Sequence, residues 1–185
     1  MFKKISLLIS GSVISQAIML ALLPYLTRVY APESFATLAQ VTVLGLLFSI
    51  IMTGRLEVAL VLPKLDNISR TVNSVVVFLI IAVTLLSVIL CVIIFDNDFR
   101  YLVLLSIIVG FSLSFINLSI NNYIRNSDFA KISKLKISQS LLIIFFQVII
   151  VNIGYDFGLV YGYVLGLVIT ALLFTDFKLL ERKLT

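Results

Sequence analysis

Long apolar runs separated by short polar breaks are the feature that most constrains how this chain can fold. Each run is continuous rather than alternating in polarity, and most approach the roughly 20 helical residues needed to cross a hydrocarbon core. Turn and charge signals such as Asp96-Asn97-Asp98 separate neighbouring runs. We therefore predict six membrane-spanning helices, at about residues 5–27, 35–53, 73–95, 101–121, 138–153 and 157–175.

The composition agrees with a lipid bilayer as the solvent of this chain. Of its 185 residues, 61% are hydrophobic and 12% are charged, whereas about a quarter of a typical soluble domain is charged. A membrane β-barrel would alternate in polarity within segments of about ten residues, and these runs do not. The predicted fold class is an all-α integral membrane protein, a six-transmembrane-helix bundle.

The side chains needed for several kinds of chemistry are missing. The chain has no histidine, and its one cysteine, Cys91, lies inside an apolar run. Zinc sites built from His and Cys, Ser-His-Asp triads and Cys-His pairs are therefore excluded. We predict no enzymatic activity, no metal and no cofactor. The net charge of +5 is not gathered in one patch, so we also predict no nucleic-acid binding.

The basic residues predict an orientation. If the amino terminus is cytoplasmic, twelve of the fourteen Lys and Arg residues lie in cytoplasmic segments, and Arg28 and Arg100 lie outside. This division follows the positive-inside rule and places both termini in the cytoplasm. The longer inner loops, at about 55–72 and 122–137, could form helices along the membrane surface. Their lysines would then meet anionic headgroups: Lys131, Lys134 and Lys136.

Polar residues recur on one face of the fourth predicted span, at spacings of three and four. This face is either a packing seam or one wall of a polar cavity. The set is Ser106, Gly110, Ser114, Asn117, Asn121 and Arg125. Span one contributes Gln16 and a helix-kinking Pro24, and span two contributes Gln40.

Two further segments stand out. Arg55 and Glu57 lie between apolar runs, and residues two apart do not share a helix face, so each is expected to contact a different partner. The alternative is an interfacial pair with Arg55 reaching to headgroups. In span six, Gly158, Gly162 and Gly166 form two consecutive G-x-x-x-G units. We predict that they allow a neighbouring helix to pack closely.

A family resemblance rests mainly on two segments, residues 22–35 (LLPYLTRVYAPESF) and 55–64 (RLEVALVLPK). The first is similar to the first-loop signature of the bacterial O-antigen and capsule repeat-unit flippases, which belong to the multidrug/oligosaccharidyl-lipid/polysaccharide exporter superfamily. The second resembles that family's Arg-aromatic-Glu block, although Leu56 replaces the aromatic residue. Residues 122–126 and the glycine-rich start of span six also fit.

The resemblance implies one lobe of a two-lobed exporter. Residues 1–185 would form the amino-terminal six-helix lobe, and the second lobe, absent from this chain, would come from a missing carboxy-terminal half or a partner chain. The implied function is flipping of undecaprenyl-diphosphate-linked oligosaccharide repeat units across the bacterial inner membrane for lipopolysaccharide or other surface polysaccharide biosynthesis. Membrane lipids, a polysaccharide polymerase and glycosyltransferases are the further partners implied.

The residues predicted to line the substrate cavity have different chemical roles. Arg28 and Arg55 are the cations best suited to bind the diphosphate of the substrate. Glu57 would pair with an Arg or bind a coupling cation. The remaining candidates are Gln16, Gln40, Asn117, Asn121 and Arg125. Two alternatives stay open: a multidrug or organic-cation exporter of the same superfamily, and a non-transporting membrane assembly subunit.

Overall fold

The computed structural model describes residues 2–61, 66–151 and 157–175. Within them it confirms the predicted fold class, because the described residues form helices and no strand. A short 3₁₀ segment, Leu56–Val61, follows the second long helix. The α-helices are α1 (Phe2–Val29), α2 (Pro32–Thr53), α3 (Asp66–Ile94), α4 (Asn97–Arg125), α5 (Phe129–Val151) and α6 (Gly158–Phe174).

Five of these helices, α1 to α5, are long and apolar enough to cross a membrane. The sixth, α6, is apolar but has 17 residues. Of the six predicted spans the fifth, at 138–153, was the shortest; this is wrong, because α5 has 23 residues and α6 is shorter. Large apolar side chains on the outer faces, such as Leu20, Phe78 and Ile93, are more than two-thirds exposed. Lipid is the solvent that suits such faces, since water would make them costly.

The predicted inner loop at residues 122–137 is also wrong. Helix α4 continues to Arg125 and α5 already begins at Phe129, which leaves three connecting residues. Asp128 explains the early start, because its carboxylate accepts a hydrogen bond from the backbone N–H of Lys131 (3.4 Å) and pairs with the Lys131 ammonium (3.0 Å). The first two turns of α5 contain lysines, so a prediction based on apolar runs places the start of this helix too late.

Contacts between helices define an up-and-down bundle with α4 at its centre. Helix α4 packs against α2, α3, α6 and the 3₁₀ segment, whereas α1 packs chiefly against α5. Ser114 of α4 donates to Ser49 of α2 (3.3 Å), and Lys136 of α5 donates to Ser12 of α1 (2.9 Å). Helices α1 and α5 are therefore neighbours although three α-helices and the 3₁₀ segment separate them in the order of the chain.

Small residues bring two helix pairs into backbone contact. A Cβ atom on Gly162 of α6 would lie 2.6 Å from the Cα atom of Gln147 on α5, and one on Gly166 would lie 2.5 Å from Cα of Ile143. Between α2 and α4, a Cβ on Gly110 would lie 2.6 Å from Cβ of Phe48. These seams hold the helices closer than any larger side chain allows.

Candidate functional site

Arg28 and Tyr30, from the segment that carries the family resemblance, occupy different environments. Arg28 is exposed at the end of α1, and no hydrogen bond or ion pair joins its side chain to the described residues. Tyr30 is 6% exposed, and its hydroxyl donates a 2.7 Å hydrogen bond to the carbonyl of Gln147 on α5. Burial raises the pKa of Tyr30 above its usual value, so the phenol stays a neutral donor. Tyr30 therefore ties the α1–α2 corner to α5.

Arg55 has an unusual backbone conformation. Helix α2 ends at Thr53 and is followed by Gly54 with φ 55°; the next residue, Arg55, also lies in the left-handed region with φ 59°. A residue with a Cβ atom is disfavoured there by about 1–2 kcal/mol. The Arg55 side chain is exposed. The chain thus retains an exposed arginine at a position where glycine would fit the backbone better.

We expect Arg55→Gly to raise the free energy of unfolding, or leave it unchanged, because relief of backbone strain offsets the greater entropy of an unfolded glycine, about 0.5–1 kcal/mol. Arg55→Ala should be no more stable than the native chain, since alanine keeps the strain. Denaturant unfolding of both purified variants measures this difference. A lower stability for glycine than for alanine would contradict the account.

Glu57 belongs to the 3₁₀ segment, and Arg125 contacts that segment. Glu57 is 4% exposed, and its Oε2 atom has no hydrogen-bond partner within the described part of the chain. Leu60 lies three residues further on, hence on the same side of a 3₁₀ helix. Its carbonyl accepts a 3.0 Å hydrogen bond from Nη1 of Arg125. The 3₁₀ segment that buries the Glu57 carboxyl is therefore also hydrogen-bonded to the end of α4.

The predicted amides do not gather around these charges. Asn117 and Asn121 are partly buried on α4, where Nδ2 of Asn121 donates to the carbonyl of Asn117 (3.0 Å). Gln40 is exposed beside an apolar groove of about 490 Å³ near the start of α4, which Phe99 and Leu102 also line. Gln16 lies on α1, apart both from Gln40 on α2 and from the two asparagines on α4. The predicted site residues are thus distributed over separate parts of the bundle.

A polar cavity of about 210 Å³ lies between α1 and α5, and we refer to it as the α1–α5 groove. Six of its eight lining side chains are polar, and one of them, Lys136, donates a 2.9 Å hydrogen bond to the hydroxyl of Ser12. The two helices touch at one end of the groove, where a Cβ on Gly11 would lie 2.5 Å from Cβ of Ser133. The lining residues are Ser12, Ser15, Gln16, Met19, Lys136, Gln139, Ser140 and Ile143.

Of the six polar residues of this groove, five were not predicted as site residues: Ser12, Ser15, Lys136, Gln139 and Ser140. Lys136 was expected to face lipid headgroups together with Lys131 and Lys134, and its bond to Ser12 turns it towards α1 instead. A signal was present in the sequence, because polar residues of α5 recur at helical spacing. They are Ser133, Lys136, Ser140 and Gln147.

No family model, curated protein or solved structure matches this chain. The resemblance to the flippases therefore rests mainly on residues 22–35 and 55–64. The geometry of the groove is the independent observation that bears on function. Of the charged side chains within the candidate spans, Lys136 is the one that lines this polar cavity. We therefore take the α1–α5 groove as the candidate functional site.

Proposed function

We propose that this chain belongs to a transporter that turns undecaprenyl-diphosphate-linked oligosaccharides from the inner to the outer leaflet of the bacterial cytoplasmic membrane. The observation that carries the proposal is the α1–α5 groove, a polar cavity with a lysine between two membrane-spanning helices. Ionisable groups at such positions commonly mark the path of a polar substrate. The sequence resemblance supports the same function.

The chemistry of the groove suits the head of a lipid-linked sugar. Such a molecule combines an apolar tail with an anionic diphosphate and many hydroxyl groups, and only the head requires a polar path. Gln16 and Gln139 offer amide donors and acceptors, and Lys136 offers a positive charge. Helix α1 packs chiefly on α5 and is otherwise largely exposed. A tail could therefore remain in lipid beside the groove.

The distribution of charge supports a cytoplasmic amino terminus. Arg55, Arg125 and the described lysines of α5 lie at the end of the bundle where α1 begins, whereas Arg28 and Arg100 lie at the other end. Under the positive-inside rule the first end faces the cytoplasm. With this orientation, Lys136 lies about 10 Å along α5 from its cytoplasmic start, at about 1.5 Å per residue.

Deletion of the gene tests the proposed function. We expect a clean deletion to abolish the surface glycan and to cause lipid-linked repeat units to accumulate inside the cell, with recovery when the gene is restored. Immunoblotting of surface polysaccharide and mass spectrometry of extracted polyprenyl lipids measure the two effects. Normal surface glycan in the deletion strain would contradict the proposal.

One observation favours the second candidate, an organic-cation exporter. Glu57 is a buried carboxyl, and acidic groups within a membrane protein commonly mark the path of a cation. However, Glu57 lies in the 3₁₀ segment rather than in a long span, and the described lining of the α1–α5 groove contains no acidic residue. Drug-susceptibility assays on the deletion strain separate the candidates, because a drug exporter predicts increased sensitivity and a glycan transporter predicts the glycan defect.

A further inference from the structure

We infer that Lys136 and the polar side chains around it bind the phosphate group of an anionic lipid in the α1–α5 groove. This deepens the proposed function and rests on it only for the identity of the lipid as a polyprenyl phosphate derivative. The site differs from the predicted one, which relied on Arg28 and Arg55 as the cations. Those two arginines lie at opposite ends of the bundle, and neither lines the α1–α5 groove.

Lys136 has no counter-charge among the described residues. Lys136 is partly buried, and within residues 2–61, 66–151 and 157–175 no carboxylate lies at ion-pair distance from its ammonium. Its nearest described polar partner is the neutral hydroxyl of Ser12, at 2.9 Å. A cation inside a membrane span is costly unless an anion or water compensates it. An anionic ligand would provide that compensation.

The other groups of the groove suit phosphate oxygens. A lysine ammonium has three donors, and the bond to Ser12 uses one of them. Gln16 and Gln139 bring amide donors to the same cavity. The hydroxyl of Ser140 donates to the carbonyl of Ile137 (3.0 Å), so it does not compete for the lysine's remaining donors. A phosphate with several acceptor oxygens can use the remaining donors together.

The surroundings of the groove favour a phosphate attached to a lipid. On α1, Val13 and Leu20 precede and follow Gln16 in the sequence, and their side chains are 57% and 68% exposed. These apolar surfaces could contact an acyl or polyprenyl chain while the phosphate occupies the polar cavity. A soluble phosphate would gain nothing from them.

Lys134 provides a matched control on the same helix. It lies two residues before Lys136, is exposed, and does not line the α1–α5 groove. Lys134→Met and Lys136→Met remove the same charge and keep an unbranched side chain of similar length. Lys136→Arg keeps the charge, and Ser12→Ala removes only the hydrogen bond to the lysine. All four variants are purified as the full chain, and their folding is checked by size-exclusion chromatography.

The experiment measures binding of undecaprenyl phosphate, undecaprenol, phosphatidylglycerol and inorganic pyrophosphate to detergent-solubilised protein by native mass spectrometry. We expect undecaprenyl phosphate to bind the native chain and Lys134→Met equally. Lys136→Met should weaken this binding about ten- to a hundredfold, the range for loss of a charged hydrogen bond. Lys136→Arg should retain most of the affinity, and undecaprenol should bind weakly to every variant.

Three results would overturn the inference: equal binding of undecaprenol and undecaprenyl phosphate, equal loss in the Lys134 and Lys136 variants, or pyrophosphate binding as tight as that of the lipid. Equal, Lys136-dependent binding of phosphatidylglycerol would support a lipid-phosphate site that does not select the polyprenyl chain. Failure of the proposed function is a separate outcome. If binding depends on Lys136 but the deletion strain makes normal surface glycan, the lipid-phosphate site stands and the proposed transport of oligosaccharides is rejected.

Discussion

Replacing Gly162 with leucine is expected to separate α5 from α6 and to prevent the chain from folding into a stable bundle. Even a single Cβ atom at this position would lie 2.6 Å from the backbone N and Cα atoms of Gln147. Backbone atoms cannot turn away as a flexible side chain can, so the two helices must move apart. Gly162→Ala alone should lower the free energy of unfolding by about 1–3 kcal/mol, the usual cost of overpacking.

The matched control for Gly162 adds volume on the outer face of the same helix. Leu165 is 42% exposed, so Leu165→Phe should change stability by less than about 0.5 kcal/mol. Thermal unfolding of detergent-purified variants, followed by size-exclusion chromatography, compares them. Native stability of Gly162→Leu would contradict the close approach of α5 and α6 in this structure.

Replacing Glu57 with methionine is expected to stabilise the protein. The Oε2 atom of Glu57 is buried without a partner in the part of the chain that the structure describes, and such a group costs about 1–3 kcal/mol. Methionine has a similar length and no strongly polar atom, so it should fill the same space without this cost. We therefore expect the free energy of unfolding to rise by about 1–3 kcal/mol.

Glu33→Met is the control for this substitution, because Glu33 is an exposed carboxylate in the first turn of α2. Its replacement should change stability by less than about 0.5 kcal/mol. Denaturant unfolding of both variants provides the comparison. Marked destabilisation by Glu57→Met would show that the carboxyl has a stabilising partner. If Glu57 has a role in transport, the stabilised variant should export less glycan than the native chain.

The general fold was predictable from the sequence because length and hydrophobicity decide where a helix can cross a membrane. The start of α5 was not, since its first two turns carry Lys131 and Lys134 and resemble a loop by hydropathy. The pairing of α1 with α5 was not predictable either. It depends on the close approach at Gly11 and Ser133, two small residues far apart in the chain.

The candidate site was predicted only in part. Gln16, a predicted site residue, lines the α1–α5 groove, whereas Arg28 and Arg55, the cations predicted with it, lie elsewhere. Lys136 was assigned to headgroups because residues 122–137 were predicted to be a loop. Since α5 in fact begins at Phe129, the two-residue spacing places Lys136 and Lys134 on different helix faces. The burial of Glu57 depends on the 3₁₀ segment packing against α3 and α4, which no local pattern indicates.

The central claim is that the head of a lipid-linked oligosaccharide crosses the membrane along the α1–α5 groove, and its most direct test measures the leaflet that holds this lipid. Spheroplasts that express the native chain, Lys134→Met or Lys136→Met are treated with a membrane-impermeant glycosidase, and cleavage of the oligosaccharide is measured. We predict extensive cleavage with the native chain and with Lys134→Met, and protection with Lys136→Met. Equal cleavage in all three strains would contradict the claim.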